Sequence, residues 1–404
     1  MIDPKEARRT ILEHTPARSG DPAWPDFFGD LAPTAEPVCA DRDIPAADLS
    51  RMDGYAIIAP LEAGAELRRV GEIPAGSLPE HPVAPGECFR IFTGGVLPPG
   101  ANAVVKQEEV GASDDGELIR LNCSVEPGEY VTARGAVASQ DDVVLPAGSP
   151  PGAAQAAVCA AVGEMPRRRR PPLLALLCTG EEIVPRDVKP GPHQTRDVNG
   201  PALTAAARSI GSALAAPRVV PDDAGRLTDE LRCMLANDDY DGVVTVGAVS
   251  VGDYDLVPDA LRAVGAEIIL HGVRCRPGKP FLFALGPSSK PVFGIPGNVM
   301  SALVTFFEFV APALRKMAGM PEPWAPTLPV RLAADVAGIA DRTRYALARV
   351  TQDDDGHWVA EPLPMQHSAD VAAAGPADGA IIVPPGDGLA AGGDAHFRPW
   401  RPLW

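Results

Sequence analysis

The chain has 404 residues, too many for one ordinary core, so two to four domains are expected. A hydrophobic content of 46% is normal for a globular protein in water. The formal net charge of −17 argues against a general nucleic-acid surface or an anionic membrane as partner. An anionic small molecule is still allowed, because local basic residues can override the global field. The seven cysteines, at 39, 88, 123, 159, 178, 233 and 275, make no C-x-x-C pair. A zinc cage or disulfide framework is therefore not expected, and a reducing cytoplasm is the natural compartment. Residues 1–11 carry charges throughout and no apolar core, so no signal peptide is expected.

In chain order, residues 3–14 read as a short helix, with Asp3 and Pro4 as start signals. From about 40 to 137 short apolar runs alternate with Gly and Pro, for example Tyr55-Ala56-Ile57-Ile58 and Ala103-Val104-Val105; this is all-β texture. Residues 152–163, rich in Ala, read as a helix. A basic run, Arg167 to Arg170, then leads through Pro171-Pro172 into a new region. From 171 to 320 strands and helices alternate. Strands are expected at 173–178, 218–220, 243–246, near 267–275 and as a pair near 281–294. Helices are expected at 201–216, 227–236, 255–264 and 299–310. This alternation predicts a parallel, doubly wound sheet. The 299–310 helix is too short to span a bilayer and contains Glu308, so it reads as a buried core helix. Residues 323–404 return to short strands, as in Pro329 to Leu332 and Ile381 to Val383, and read as a small β-barrel or sandwich.

Parallel strands share a carboxyl edge, where open α/β sheets bind ligands. Several polar segments fall on that edge: Thr179 to Glu182, Arg196 to Asn199, Pro221 to Asp223, and the loop Gly247 to Asp255. The acidic residues Glu182, Asp222 and Asp255 repel one another unless a cation or basic group is present, and hard oxygen ligands favour Mg²⁺. Each alone also reads as an ordinary helix cap. Arg274 to Pro280 is the basic counterpart, with Arg276 and Lys279 able to hold phosphate oxygens beside a Pro-Gly turn. Pro296-Gly297-Asn298 opens a helix whose free N–H groups suit an anion. Gly247-x-x-x-x-Gly252 is followed by Asp-Tyr, so it is no P-loop, and no G-x-G-x-x-G follows a strand. In the β-rich region, Ser50 to Ala56 carries Asp53 in a tight turn, and Phe92 to Asn102 is a Gly/Pro loop carrying Thr93.

Taken in order, these segments resemble one family, the molybdopterin molybdenumtransferases of molybdenum cofactor synthesis, to which the gephyrin E domain is similar. The likeness runs through Ser50 to Ala56, Ile91 to Glu108, Thr179 to Ile183, Asp197 to Asn199, Val249 to Asp255, Pro277 to Pro280 and Pro296 to Ala302. Ser368 and Ala377-Asp378-Gly379 fit its last domain. The resemblance implies a multidomain α/β plus β fold in four domains. These are a discontinuous helical linker domain at 1–40 and 138–170, a β-rich domain at 41–137, a doubly wound α/β molybdopterin-binding domain at 171–322, and a C-terminal β-barrel at 323–404.

It also implies insertion of molybdate into adenylylated molybdopterin with release of AMP, assisted by Mg²⁺. Family members are homodimers in which Asp53 and Thr93 of one subunit reach the α/β domain of the other. The residues carried over as catalytic are Asp53, Thr93 and Glu182. Substrate contacts fall to Asp222, Ser250, Gly252, Asp255, Arg276, Lys279, Pro296, Asn298 and Ser368. Metal ligation falls to Glu182, Asp222 and Asp255. A molybdopterin adenylyltransferase is a possible partner; nucleic acid and membrane are not expected. The sequence departs from the family pattern at Gly95, Asn102, Val137, Gly272 and Val299. These departures leave open a non-catalytic molybdopterin-binding paralogue, and the α/β domain leaves open adenylylation of molybdopterin.

Overall fold

A computed structural model describes residues 1–16, 34–150, 152–164, 171–249, 256–320, 323–324, 326–401 and 403. It divides into two compact units: Met1–Ala35 with Gly148–Pro151 and Arg167–Trp404, and Glu36–Ala147 with Gly152–Pro166.

The second unit is built on a six-stranded sheet. Its strands lie in the order Ala103–Lys106, Gly54–Ile57, Glu87–Ile91, Glu66–Ile73, Leu118–Leu121, Val110–Ala112. Successive side chains of a strand point to opposite faces, and both faces here are covered. Tyr55, Ile57, Ala103 and Val105 join one cluster; Ala56, Val104, Phe89 and Ile91 join the other. The helix Ala153–Ala161 packs near the strand Val143–Leu145.

In the first unit a seven-stranded sheet carries Leu173–Thr179 and Gly242–Val246 at its centre. Every residue of Gly242–Val246 is buried, as befits a strand covered on both faces. Leu174, Leu176, Val244 and Val246 face one cluster; Ala175, Leu177 and Val243 face the other. The expectation of a parallel sheet holds for four of its six strand pairings. Pro291–Ile295 runs parallel to Gly242–Val246, whereas Leu282–Leu285 and Glu267–His271 add antiparallel. The connection from 286 to 290 is too short for a crossover, so it forces a reversal.

Three expected elements also change their bounds. The helix expected at 201–216 runs Asn199–Ser209; Gly211, at φ 71°, breaks it, and Ala213–Leu214 becomes an edge strand. The strand expected near 267–275 stops at His271, the chain turns at Gly272, and Cys275–Arg276 pairs with a strand of another sheet. The helix expected at 299–310 is α-helical over Val299–Thr305, widens to a π-helix over Phe306–Val310, and resumes as Ala311–Met317.

The C-terminal strands close into a five-strand barrel: Thr343–Gln352, Trp358–Pro362, Leu328–Leu332, Asp394–Pro399 and Gly379–Val383, which pairs back onto the first. Closure leaves no open edge within the ring. Cys275–Arg276 attaches to the start of Thr343–Gln352, with Arg276 opposite Arg344. No helix among the described residues is long and apolar enough to cross a membrane.

The π-helix buries Glu308, whose side chain is 1% exposed. One carboxylate oxygen accepts from Arg398 Nε at 2.6 Å, and the other accepts from Arg8 and, at 3.2 Å, from the Tyr345 hydroxyl. Burial and the neighbouring Glu308 carboxylate push the Tyr345 hydroxyl well above its ordinary pKa, so it remains a donor. Arg8 comes from the helix Pro4–His14, capped by Asp3 and seated through Ala7 and Ile11 on the core. Removing Glu308 leaves two guanidinium groups without their shared partner. Glu308→Ala is expected to lower stability by about 3–5 kcal/mol, read as a shift in the denaturant midpoint.

Candidate functional site

Two contiguous clefts open in the first unit, sharing Pro280, Pro296 and Asn298 as a common wall. The first, of about 600 Å³, lies at the carboxyl edge of the parallel strands. It is lined by Glu182, Asp197, Asn199 and Asp222 and by the backbone from Val246 to Val249. Gly180, at φ 150°, makes the turn that brings Glu182 in; a Cβ at 180 would lie 2.7 Å from the Glu182 Oε2. Asp197 holds the start of the next helix, accepting from Gly200 N at 2.8 Å. Asn199 donates to Gly297 O at 2.7 Å and so ties that helix start to the Pro296–Asn298 turn.

Asp222 is held above the ordinary carboxylate range, first by burial and then by the negative charges of Glu182 and Glu181. Asp223, beside it, is the helix cap, accepting from Arg226 N at 2.8 Å. Asp222 is thereby left facing the cleft.

The second cleft, of about 670 Å³, is basic. Arg276 and Lys279 line it, joined by Arg342, Arg344 and His367. The Arg276–Lys279 turn is pressed against the helix Val299–Thr305: Gly278 sits at φ 106°, and a Cβ there would lie 2.6 Å from Thr305 Cγ2. On the far wall, Ser368 Oγ accepts from Asn298 Nδ2 at 2.8 Å, and Ser368 O accepts from Met300 N at 3.1 Å. Pro296, Asn298, Ser368, Arg276 and Lys279 thus line one cavity; Glu182, Asp222, Pro296 and Asn298 line the other. Ser250, Gly252 and Asp255 lie outside the described residues. Among the described residues no group of three His, Cys, Asp or Glu side chains is arranged around a metal.

Asp53 and Thr93 belong to the other unit and pair with each other. Both the Thr93 N–H and its hydroxyl donate to Asp53 Oδ1, each at 2.8 Å. These two bonds, and then the charge of Arg90, hold the Asp53 carboxyl below its ordinary value against a small opposing effect of burial. Asp53 Oδ2 has no partner among the described residues.

Family models described as the MoeA N-terminal region (domain I and II), a probable molybdopterin binding domain and the MoeA C-terminal region (domain IV) match residues 2–163, 175–316 and 329–400. A molybdopterin molybdenumtransferase of Nostoc sp. is 36% identical over 302 residues, 72% of this chain and 68% of that one. One of Staphylococcus aureus is 31% identical over 367 residues, 89% of this chain and 86% of that one. The chain belongs to the molybdopterin molybdenumtransferase family. The crystal structure of a molybdopterin biosynthesis MoeA protein from Pyrococcus horikosii has the same fold, with TM-score 0.81 and 26% identity over 100% of both chains.

Two of the departures from the family pattern, Asn102 and Val299, acquire local explanations. Asn102 uses both ends of its amide on Ala59, accepting from its N–H at 2.7 Å and donating to its carbonyl at 2.9 Å. A carboxylate could not make the second bond. Val299 is the buried first residue of its helix, a position that proline also favours. Val137 is 74% exposed, and nothing in the structure explains it.

The residues missed by sequence reasoning are Asp197, Asn199, Arg342, Arg344 and His367. The first two lay inside a segment already singled out. The other three reach the cleft only because the barrel docks beside the Arg276–Lys279 turn.

The two carboxylates carry opposite linkage signs. The folded-state pKa of Asp53 is depressed, so its contribution to stability is present above the unfolded value near 3.9 and is lost as pH falls through the lower folded value. That of Asp222 is raised, so a cost builds as pH rises from the unfolded value to the higher folded value and persists at neutral pH. Asp222→Asn is expected to raise Tm at pH 7, with the difference vanishing below about pH 4. In an NMR titration, Thr93→Val should move the Asp53 midpoint upward and leave that of Asp222 in place.

Proposed function

We propose that this chain inserts molybdate into adenylylated molybdopterin and releases AMP, giving molybdenum cofactor. The observation that carries this reading is the pair of contiguous clefts, one walled by carboxylates at the sheet edge and one by guanidinium and ammonium groups, in a chain of this family. An elongated substrate with a phosphoanhydride suits such a division. Its phosphates fit the basic wall of Arg276 and Lys279, with Arg342 and Arg344 opposite. The Pro296–Asn298 turn and Ser368 divide the two compartments.

The reaction exchanges one molybdate oxygen for the two dithiolene sulfurs and cleaves the phosphoanhydride. In this reading Asp53 is ionised throughout, and Oδ2 is the oxygen that orients water, because both Thr93 donors already hold Oδ1. Thr93 therefore acts as a positioning residue for Asp53. Glu182 and Asp222 fit Mg²⁺, which takes one or two protein carboxylates together with water and substrate phosphate. The elevated pKa of Asp222 beside Glu182 supports that fit, since a cation between them would relieve their repulsion. Bound there, Mg²⁺ would neutralise developing charge on phosphate oxygens. Ser250, Gly252 and Asp255 are proposed as further substrate contacts, Asp255 also as a metal ligand.

We further propose the four-domain division at about 40, 138, 170 and 323, on the changes of sequence texture there, and a cytoplasmic location, supported by seven cysteines without a disulfide. The working form is a homodimer in which Asp53 and Thr93 of the partner complete the cleft, and a molybdopterin adenylyltransferase is the proposed source of substrate.

Asp53→Ala and Glu182→Ala should each abolish AMP release from adenylylated molybdopterin with molybdate and Mg²⁺, while leaving circular dichroism and Tm close to wild type. Mixing the two inactive variants under subunit exchange tests the shared cleft. Half of a random mixture is heterodimer, and each heterodimer then holds one intact site, so activity should return to about a quarter of wild type. If both residues act within one chain, every site in the mixture is defective and no activity returns.

A further inference from the structure

A separate cavity of about 150 Å³ lies where the helix Ala311–Met317 and the end of Asn199–Ser209 meet the barrel strand Asp394–Pro399. Three guanidinium groups line it, those of Arg315, Arg398 and Arg401, and among the described residues no acidic one does. Two of the three have carboxylate partners: Arg398 on Glu308, and Arg401 on Asp378, whose Oδ1 accepts from Arg401 Nε at 2.8 Å. Arg315 makes no ion pair with any described residue, and its Nε is buried without an acceptor. Burial, and then the charge of Arg398, push the Arg315 guanidinium below its ordinary pKa.

A second donor is stranded beside it. The Trp400 ring stacks on Phe307, with centroids 5.9 Å apart and planes 9° apart, and its Nε1 is buried with no acceptor. Buried donors are nearly always satisfied, so an acceptor-rich guest is the natural complement to both. The cavity is smaller than the roughly 300 Å³ that organic ligands need, which restricts the guest to a small ion.

We propose that this cavity binds a small tetrahedral oxyanion of the sulfate or phosphate class, held by Arg315 and the Trp400 indole N–H beneath the positive charge of Arg398. The site is distinct from the two clefts above and shares no residue with them. Its oxyanion would neutralise the one guanidinium of this cavity without a carboxylate partner among the described residues and would brace the barrel against the Ala311–Met317 helix.

The test is a Tm titration of the full chain with sodium sulfate, with sodium chloride at matched ionic strength as reference. The expected result is a saturable rise of about 2 °C or more, complete in the low millimolar range. It should persist in the Arg276→Ala, Lys279→Ala double variant, which removes the basic wall of the substrate cleft. It should vanish in Arg315→Met, chosen because an apolar side chain of similar reach leaves no unpaired charge. It should weaken in Trp400→Phe, which keeps the stacking and removes only the donor. No saturable rise, a rise that survives in both Arg315→Met and Trp400→Phe, or one lost only in the double variant would overturn the proposal.

Discussion

One buried carboxylate, Glu308, fixes the relation between three parts of the first unit. It receives Arg8 from the N-terminal helix, Arg398 from one barrel strand and Tyr345 from another. Burying an ion is costly, and the attraction of its partners only roughly offsets that cost. Its structural value is in geometry: a charge in a dry interior tolerates few arrangements of its neighbours. Tyr345 stands one residue beyond Arg344, so the interaction that seats the Tyr345 hydroxyl also sets the start of the strand Thr343–Gln352. The pairing of Cys275–Arg276 with that start then brings Arg276 opposite Arg344. The basic wall of the cleft is therefore a consequence of packing around Glu308. Glu308 lies in the π-helix at 306–310, four residues before Pro312, which has no N–H to give the Glu308 carbonyl.

Net charge says little about such a site. The chain carries −17, yet the larger cleft is lined by three arginines and a lysine, with the carboxylates gathered in the neighbouring one. Close groups and partial burial govern the local field, while distant surface charges are screened. Local surroundings likewise set the carboxylates apart: burial, then the like charges of Glu182 and Glu181, raises Asp222, whereas two hydrogen bonds from Thr93 lower Asp53.

Much of this was legible in the sequence, in proportion to how local its causes were. The strand Gly242–Val246 and the helix begun by Asp3 follow from apolar runs and a cap that need only a few neighbouring residues. The strand pair near 281–294 was legible, but not its consequence: so short a connection makes a hairpin and interrupts the parallel sheet. Nor were the partners of Glu308, since Arg8 and Arg398 stand 300 and 90 residues away. Arg342 and Arg344 carry no signal of their own: they read as ordinary strand residues until the barrel closes beside Arg276.

The functional and the structural readings of the polar turns prove to be complementary. Asp223 is an ordinary helix cap, and because it satisfies that helix start, its neighbour Asp222 is spared the task. Asp197 likewise caps the backbone at Gly200 while lining the acidic cleft. Asn199 ties the same helix start to the Pro296–Asn298 turn through Gly297, and Asn298 in turn holds Ser368 on the barrel side. A chain of ordinary hydrogen bonds thus runs from the sheet edge, across the wall between the clefts, to the last domain. Each link alone is the commonplace cap or turn that sequence reasoning weighed against function. Joined, they build the wall between an acidic and a basic compartment out of elements far apart in the chain.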